Sequence, residues 1–172
     1  ITMKLKYIAF ILALFFLAGC LVPEQPIIPV KGATNKDWNS QTFWYEPWGS
    51  SGTHKGIDIF AAANTPVVAP TPMLLLYKGD FLKGGKVVVG LGPKWQMHYF
   101  AHLGSIEASS GLFATGGETL GTVGTTGNAQ GKPPHLHYSI LSLFPRPWRI
   151  DTSTQGYKKA FYLNPIEYLD AK

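Results

Sequence analysis

Glycine and proline divide this chain into short apolar runs, and this division limits the folds that the chain can adopt. The 172 residues include 19 glycines and 13 prolines. Apolar runs rich in β-branched residues lie between them, at 65–69, 73–77, 86–91, 96–102, 119–123 and 135–141. Short runs bounded by turn residues are typical of β-strands. We therefore predict an all-β fold.

Two further local patterns refine this prediction. The runs 86–91 and 96–102 are separated only by Gly92–Trp95, which predicts a β-hairpin. Near the C-terminus, 164–169 is compatible with one short helical turn. We find no internal repeat and no heptad pattern.

The N-terminal segment Met3–Cys20 has the pattern of a secretory signal: two lysines, the apolar run Tyr7–Leu17, and small residues before the cysteine. Leu17–Cys20 resembles the lipobox of bacterial lipoproteins. That resemblance implies cleavage before Cys20 and lipid attachment to its thiol. The alternative is an ordinary secretory signal that happens to contain a cysteine. Cys20 is the only cysteine in the chain, which excludes an internal disulfide and any multi-cysteine metal site.

The chain is expected to have three parts. Residues 1–19 would be the lipoprotein signal peptide, and 20–37 would be the lipidated cysteine and a flexible tether interrupted by prolines. Residues 38–172 would be one folded domain, which we expect to be monomeric. The net charge of +5 does not indicate a nucleic-acid partner, because the basic residues are scattered and only two are arginine.

The histidines carry the most specific chemical signal. His135 and His137 lie two apart in an apolar run, so they project from the same face if that run is a strand. His54 and Asp58 lie four apart, which is too far in a straight strand, but Gly56 between them permits a bend. Two imidazoles and one carboxylate form the ligand set of a catalytic zinc site. Each pattern alone also fits a surface pair with no metal; their joint occurrence favours a site.

Several spaced motifs, in order, resemble those of the lysostaphin/LytM-type M23 metallopeptidases. The segment 52–59, GTHKGIDI, is similar to their first zinc motif, and 99–103, YFAHL, is similar to their central histidine motif. The glycine-rich segment 121–131 followed by 134–138, PHLHY, resembles their loop and HxH strand. The resemblance covers roughly residues 50–141 and the tail. It implies a small single antiparallel-sheet domain with loops that form a groove, so that 38–172 would be a peptidase domain.

The resemblance also implies roles for individual residues. His54, Asp58 and His137 would be the ligands of one Zn²⁺, and His102 and His135 would be catalytic histidines beside the metal. We assign His135 as general base and His102 as oxyanion stabiliser, although these two roles could be exchanged.

Other positions depart from the family pattern or stay open. An arginine often precedes the first zinc histidine, where this chain has Thr53. A tyrosine is common at Phe100, and a glutamate at Ser139. His98 either lines the groove or is an exposed edge histidine, and the aromatic residues Trp38, Trp44, Tyr45, Trp48 and Trp148 either wall the groove or belong to the core.

The resulting hypothesis is a zinc endopeptidase that hydrolyses peptide bonds in the stem peptides or cross-links of bacterial peptidoglycan. A lipid on Cys20 would hold it to a membrane in the cell envelope, on the periplasmic side, and on the outer membrane in a diderm cell. The alternative is a catalytically weak LytM-type binding module that activates cell-wall amidases. A third reading, a zinc-sequestering lipoprotein, would require neither His102 nor a groove.

Overall fold

The protein is described by a computed structural model that covers residues 2–107 and 111–170. Its helices are α1 (Thr2–Leu21) and α2 (Pro165–Asp170). The strands are β1 (Ile57–Phe60), β2 (Pro66–Val68), β3 (Met73–Phe81), β4 (Gly85–Gly92), β5 (Gln96–Ile106), β6 (Phe113–Ala114), β7 (Thr119–Val123), β8 (His135–Ser142) and β9 (Tyr162–Leu163). The prediction of an all-β domain is confirmed.

The strands form one antiparallel sheet in the order β1-β8-β5-β4-β3-β6. The strand β7 pairs with β2 and β5, and β9 pairs with β8. The predicted hairpin is confirmed as β4 and β5, joined by a short 3₁₀ turn at Pro93–Trp95. The predicted C-terminal helical turn is α2. Three short strands lie outside the apolar runs from which we predicted strands: β1, β6 and β9.

One face of the central strands forms the hydrophobic core. Side chains alternate along a strand, so every second residue of β1, β5 and β8 points to this face. Its fully buried apolar and aromatic members include Ile57, Ile59, Phe100, Leu136, Tyr138 and Ile140. Burying each aliphatic or aromatic side chain of this kind contributes roughly 1.5–3 kcal/mol. The core thus fixes the strands whose opposite face carries the site.

The segment after α1 differs from the flexible tether that we predicted for 20–37. Residues 27–31 are attached to the sheet: the Ile27 amide donates to the Pro70 carbonyl, and the Val68 amide donates to the Pro29 carbonyl, at 3.0 and 2.9 Å. Val30 is buried in the core. The prolines prevent a continuous strand, but the apolar side chains between them still gain from burial. The three-part division of the chain otherwise stays a prediction.

Helix α1 is longer than the apolar run Tyr7–Leu17 from which we predicted a signal. Its window Lys4–Leu21 has a mean hydropathy of 1.9, and none of that window is buried. By length and composition this helix could cross a membrane, and a signal sequence has the same properties.

Candidate metal centre

The register of β1, β8 and β5 places three residues in one row across the sheet. Asp58 of β1 lies opposite His137 of β8, and His137 lies opposite Ala101 of β5. All three occupy the face opposite the core, since their neighbours Ile57 and Tyr138 are fully buried on the other side. His135 lies on strand β8 and shares this face with His137. The expectation that the HxH pair lies on a strand is confirmed.

His54 reaches this row from the loop before β1. Its Nε2 lies 3.1 Å from Asp58 Oδ1 and 3.1 Å from His137 Nδ1, and His137 Nδ1 lies 2.8 Å from Asp58 Oδ1. The three candidate ligand atoms all lie within 4.8 Å of one another. The structure therefore brings together the three residues that the sequence analysis assigned to the metal.

We call His54, Asp58 and His137 the trio. The second ring nitrogen of each of its two histidines has its own partner. His54 Nδ1 lies 3.0 Å from the carbonyl oxygen of Thr42, which can only accept, so Nδ1 carries the proton. His137 Nε2 lies 3.0 Å from the hydroxyl of Ser139. Partners of this kind orient imidazole ligands, and the Thr42 carbonyl also fixes the tautomer of His54 that presents the Nε2 lone pair. Two imidazole nitrogens and a carboxylate oxygen thus converge, and this donor set fits Zn²⁺.

The electrostatics of the trio are coupled. Burial alone would raise the pKa of Asp58, but hydrogen bonds with His137 and His54 outweigh it and hold that pKa well below its ordinary value. Burial lowers the pKa of His137, which favours the neutral imidazole. A carboxylate beside neutral imidazoles is the protonation state that metal binding requires.

The bend between His54 and Asp58 depends on Gly56. A Cβ at this position would press against the carbonyl oxygen of Tyr138 and would lie 2.5 Å from Ser139 Oγ. Only glycine lets the loop approach β8 this closely. The rings of His54 and Trp48 also stack, with centroids 4.0 Å apart, so Trp48 fixes the plane of the first imidazole.

His102 and His135 lie beside the trio, with ring centroids 5.2 Å apart. His102 Nδ1 bonds to the Thr126 carbonyl at 2.9 Å, and His135 Nδ1 bonds to the Pro133 carbonyl at 2.8 Å. Each Nδ1 therefore carries a proton, and each Nε2 is the nitrogen available for chemistry. Burial, with His137 nearby, lowers the pKa of His102 to about 4. His135 Nε2 approaches Asp58 Oδ2 only to 4.0 Å.

His98 does not line the groove, and it is not an exposed edge residue, so both readings of it are wrong. It is fully buried on the core face, where Nδ1 lies 2.7 Å from the hydroxyl of Tyr138. Burial lowers the pKa of His98 to about 3. Strict alternation would place His98 and His102 on one face, but His102 has a φ of +64° and leaves the alternation.

The trio opens into a groove with a volume of about 490 Å³. Of the five aromatic residues considered for its walls, Trp48 lines it, Trp38 and Trp44 are buried elsewhere, and Tyr45 and Trp148 are exposed without lining it. Tyr99 was not among the predicted site residues, yet it lines the groove; it precedes Ala101 by two residues on β5 and so shares its face. Burial, with Tyr162 nearby, raises the pKa of the Tyr99 phenol to about 12, so it stays protonated at neutral pH.

Comparison with known protein families identifies the family to which the sequence belongs. The sequence model of peptidase family M23 matches residues 52–146, more than half of the chain. The chain belongs to peptidase family M23. The matched range contains the whole trio, both flanking histidines and the strands that position them.

Two curated relatives illustrate the similarity. The L-Ala–D-Glu endopeptidase of Bacillus subtilis is 32% identical over 113 residues, which are 60% of this chain and 35% of the relative. The DD-carboxypeptidase/endopeptidase Mpg of Neisseria meningitidis is 36% identical over 85 residues, which are 49% of this chain and 19% of the relative. The match thus spans about a third of the length of the Bacillus relative and about a fifth of the length of the Neisseria relative.

Solved structures of two peptidase proteins share the fold. The antimicrobial peptidase lysostaphin from Staphylococcus simulans superposes with a TM-score of 0.63 at 18% identity, over 87% of this chain and 56% of that chain. The catalytic domain of the prophage-encoded M23 protein EnpA from Enterococcus faecalis gives 0.60 at 20% identity, over 84% and 97%. These matches establish the lysostaphin/LytM-type sheet for this chain.

Proposed function

We propose that this M23 protein is a zinc-dependent endopeptidase that hydrolyses peptide bonds in the stem peptides or cross-links of bacterial peptidoglycan. The observation that carries the proposal is the convergence of His54, Asp58 and His137, with His102 and His135 beside them. The curated relatives named above are peptidases, which supports the same reaction class.

Zinc held by the trio would supply a Lewis acid that polarises the scissile carbonyl and lowers the pKa of water to about 7. Asp58 contributes the negative charge of the donor set, while the contacts of His54 with Thr42 and of His137 with Ser139 hold the imidazoles in place. The groove would bind the peptide in an extended form, and Trp48 and Tyr99 form parts of its walls.

The flanking histidines would move the protons. With Nδ1–H donated to Pro133, a neutral His135 presents the Nε2 lone pair and can accept a proton from the attacking water. It can then return that proton to the leaving amine. His102, held by the Thr126 carbonyl, would stabilise the developing oxyanion only after its Nε2 gains a proton, because its pKa of about 4 keeps it neutral beforehand. The two histidines have similar anchoring, so exchange of these roles remains part of the proposal.

We further propose that a lipid on Cys20 attaches the protein to a membrane in the cell envelope, with the domain on the periplasmic side. Because residues 27–31 are held to the sheet, only a few residues would separate Cys20 from the folded part. This would keep the folded domain close to the membrane surface. We expect the protein to act as a monomer without a nucleic-acid partner.

The test is digestion of purified peptidoglycan by the full chain in detergent, with mass spectrometry of the released fragments. We expect peptide-bond cleavage that is abolished by a chelator and restored by zinc. Wild-type protein that binds zinc and peptidoglycan but releases no fragments would contradict the endopeptidase proposal. If that protein instead stimulated a purified cell-wall amidase, the binding-module alternative would be supported.

A further inference from the structure

The charged residues that line the groove are mostly basic. Asp58 is the one carboxylate among the residues that line it in the described part of the chain, and its charge faces the two ligand histidines. Three lysines also line the groove: Lys55, Lys83 and Lys132. Apart from Asp58, the residues of the lining that carry a fixed charge are therefore all lysines.

The three lysines come from separate segments around the site. Lys55 directly follows His54, Lys83 lies in the turn between β3 and β4, and Lys132 lies in the loop before β8. Lys83 and Lys132 are exposed, and Lys55 is half-buried. A peptide lying in the groove would meet an ammonium group on more than one side.

These lysines have no carboxylate partner within residues 2–107 and 111–170. Lys55 Nζ donates to the carbonyls of Ser51 and Thr53 at 3.1 and 3.2 Å, and Lys83 Nζ donates to Ser50 Oγ at 3.0 Å. All of these acceptors are neutral. The lysine–carboxylate ion pairs of the described chain lie elsewhere, at Lys86–Asp80, Lys94–Glu24 and Lys159–Asp151.

We propose that Lys55, Lys83 and Lys132 select peptides that carry free carboxylates near the scissile bond. This inference rests on the proposed function and narrows it: the preferred substrates are acidic stem peptides, not neutral cross-bridges. Unpaired ammonium groups attract anions, and they disfavour neutral segments that leave them without a counter-charge. The preference should weaken as ionic strength increases, because two of the lysines are exposed.

The experiment compares two matched peptides. One is a stem peptide with its free carboxylates, and the other is the same peptide with each carboxylate converted to a carboxamide. The ratio of their kcat/KM values measures the preference with the zinc-loaded full chain. We expect a ratio above one that decreases about three- to fivefold on changing Lys83 or Lys132 to glutamine, as for exposed ion pairs.

The control variant is Lys36→Gln. Lys36 is exposed and lies outside the groove, so this change removes the same charge without altering the lining. We expect it to leave the ratio unchanged. Equal kcat/KM for the two wild-type peptides would overturn the inference, and so would lysine variants that lower both values in proportion.

Binding separates this inference from the proposed function. If the wild-type chain cleaves neither peptide, calorimetric titration of both peptides into the protein replaces the kinetic ratio. Tighter binding of the carboxylate peptide, lost in Lys83→Gln but not in Lys36→Gln, would support the lysine site while the endopeptidase proposal failed. Equal binding of the two peptides would overturn the lysine site as well.

Discussion

Replacing His137 or His135 by alanine should have different consequences, although both residues lie on one face of β8. His137 Nδ1 is 2.8 Å from Asp58 Oδ1 and 3.1 Å from His54 Nε2, so it belongs to the trio proposed to bind zinc. His135 Nε2 approaches Asp58 Oδ2 only to 4.0 Å. We expect His137→Ala to lose zinc and activity, and His135→Ala to keep zinc and lose only activity.

The geometry sets the size of each effect. Loss of an outer-shell partner typically weakens metal affinity by about 10–100-fold, so loss of one of three direct ligands should exceed about 100-fold. A positioned general base contributes about 10²–10⁴-fold to rate, which corresponds to about 3–5 kcal/mol of transition-state stabilisation. His135→Ala should therefore reduce kcat by that factor while its zinc content stays near one ion per chain.

The assay measures zinc per chain after dialysis and the rate of fragment release from peptidoglycan. The two variants serve as matched controls because the same side chain is removed two residues apart on one strand. Circular dichroism and thermal melting would show that both chains are folded. Equal zinc loss in the two variants would make His135 a ligand and refute the assignment. Full activity of His135→Ala would remove it from the mechanism.

Three further outcomes are expected. Cys20→Ser should keep peptidoglycan cleavage but lose the added lipid mass on the residue 20 peptide, and a variant that still carries that mass in mass spectrometry would contradict lipid attachment to Cys20. Gly56→Ala should destabilise the fold by about 1–3 kcal/mol in urea unfolding and weaken zinc binding, because its Cβ would meet Tyr138. Burial lowers the pKa of His98 to about 3 from 6.5, so the unfolded chain binds a proton between these values that the folded chain does not. Stability should therefore decrease by up to about 1.4 kcal/mol per unit as pH falls through this range, and His98→Gln should remove that slope; an unchanged slope would refute it.

The strands that build the sheet can be predicted from the sequence because each is a local apolar run bounded by glycine or proline. β4, β5, β7 and β8 coincide with such runs within a few residues. β6 and β9 contain two residues each, too few to produce a periodic pattern, and they exist because a longer neighbour offers its edge. The attachment of residues 27–31 was not predicted either, because it depends on hydrogen bonds to residues 66–70, which are distant in the sequence.

The sheet face that a side chain occupies was harder to predict than the strands themselves. Alternation assigns His135 and His137 to one face correctly, because β8 is regular there. It fails for His98 and His102, because the positive φ of His102 rotates that side chain out of the pattern. No residue type near His102 signals this conformation. A period-two argument is reliable only where the backbone stays extended.

The proposed ligand trio depends on a pairing that local patterns cannot reveal. Asp58 and His137 lie 79 residues apart, and only the register of β1 with β8 brings them together. The sequence could indicate that Gly56 permits a bend, but not that this glycine packs against Ser139. The family resemblance supplied the grouping of these residues, and the register supplies its physical cause.

Two departures from the family pattern, Phe100 and Ser139, differ in what they can affect, because they lie in different surroundings. Phe100 is fully buried in the core, where a hydroxyl would need a partner, while its neighbour Tyr99 faces the groove. Ser139 instead contacts Nε2 of His137 at 3.0 Å, so this departure changes the partner of a candidate metal ligand. A serine hydroxyl is neutral, whereas a glutamate there would carry a charge. Of these two departures, Ser139 is therefore the one able to alter the metal centre, and Phe100 can affect it only through packing.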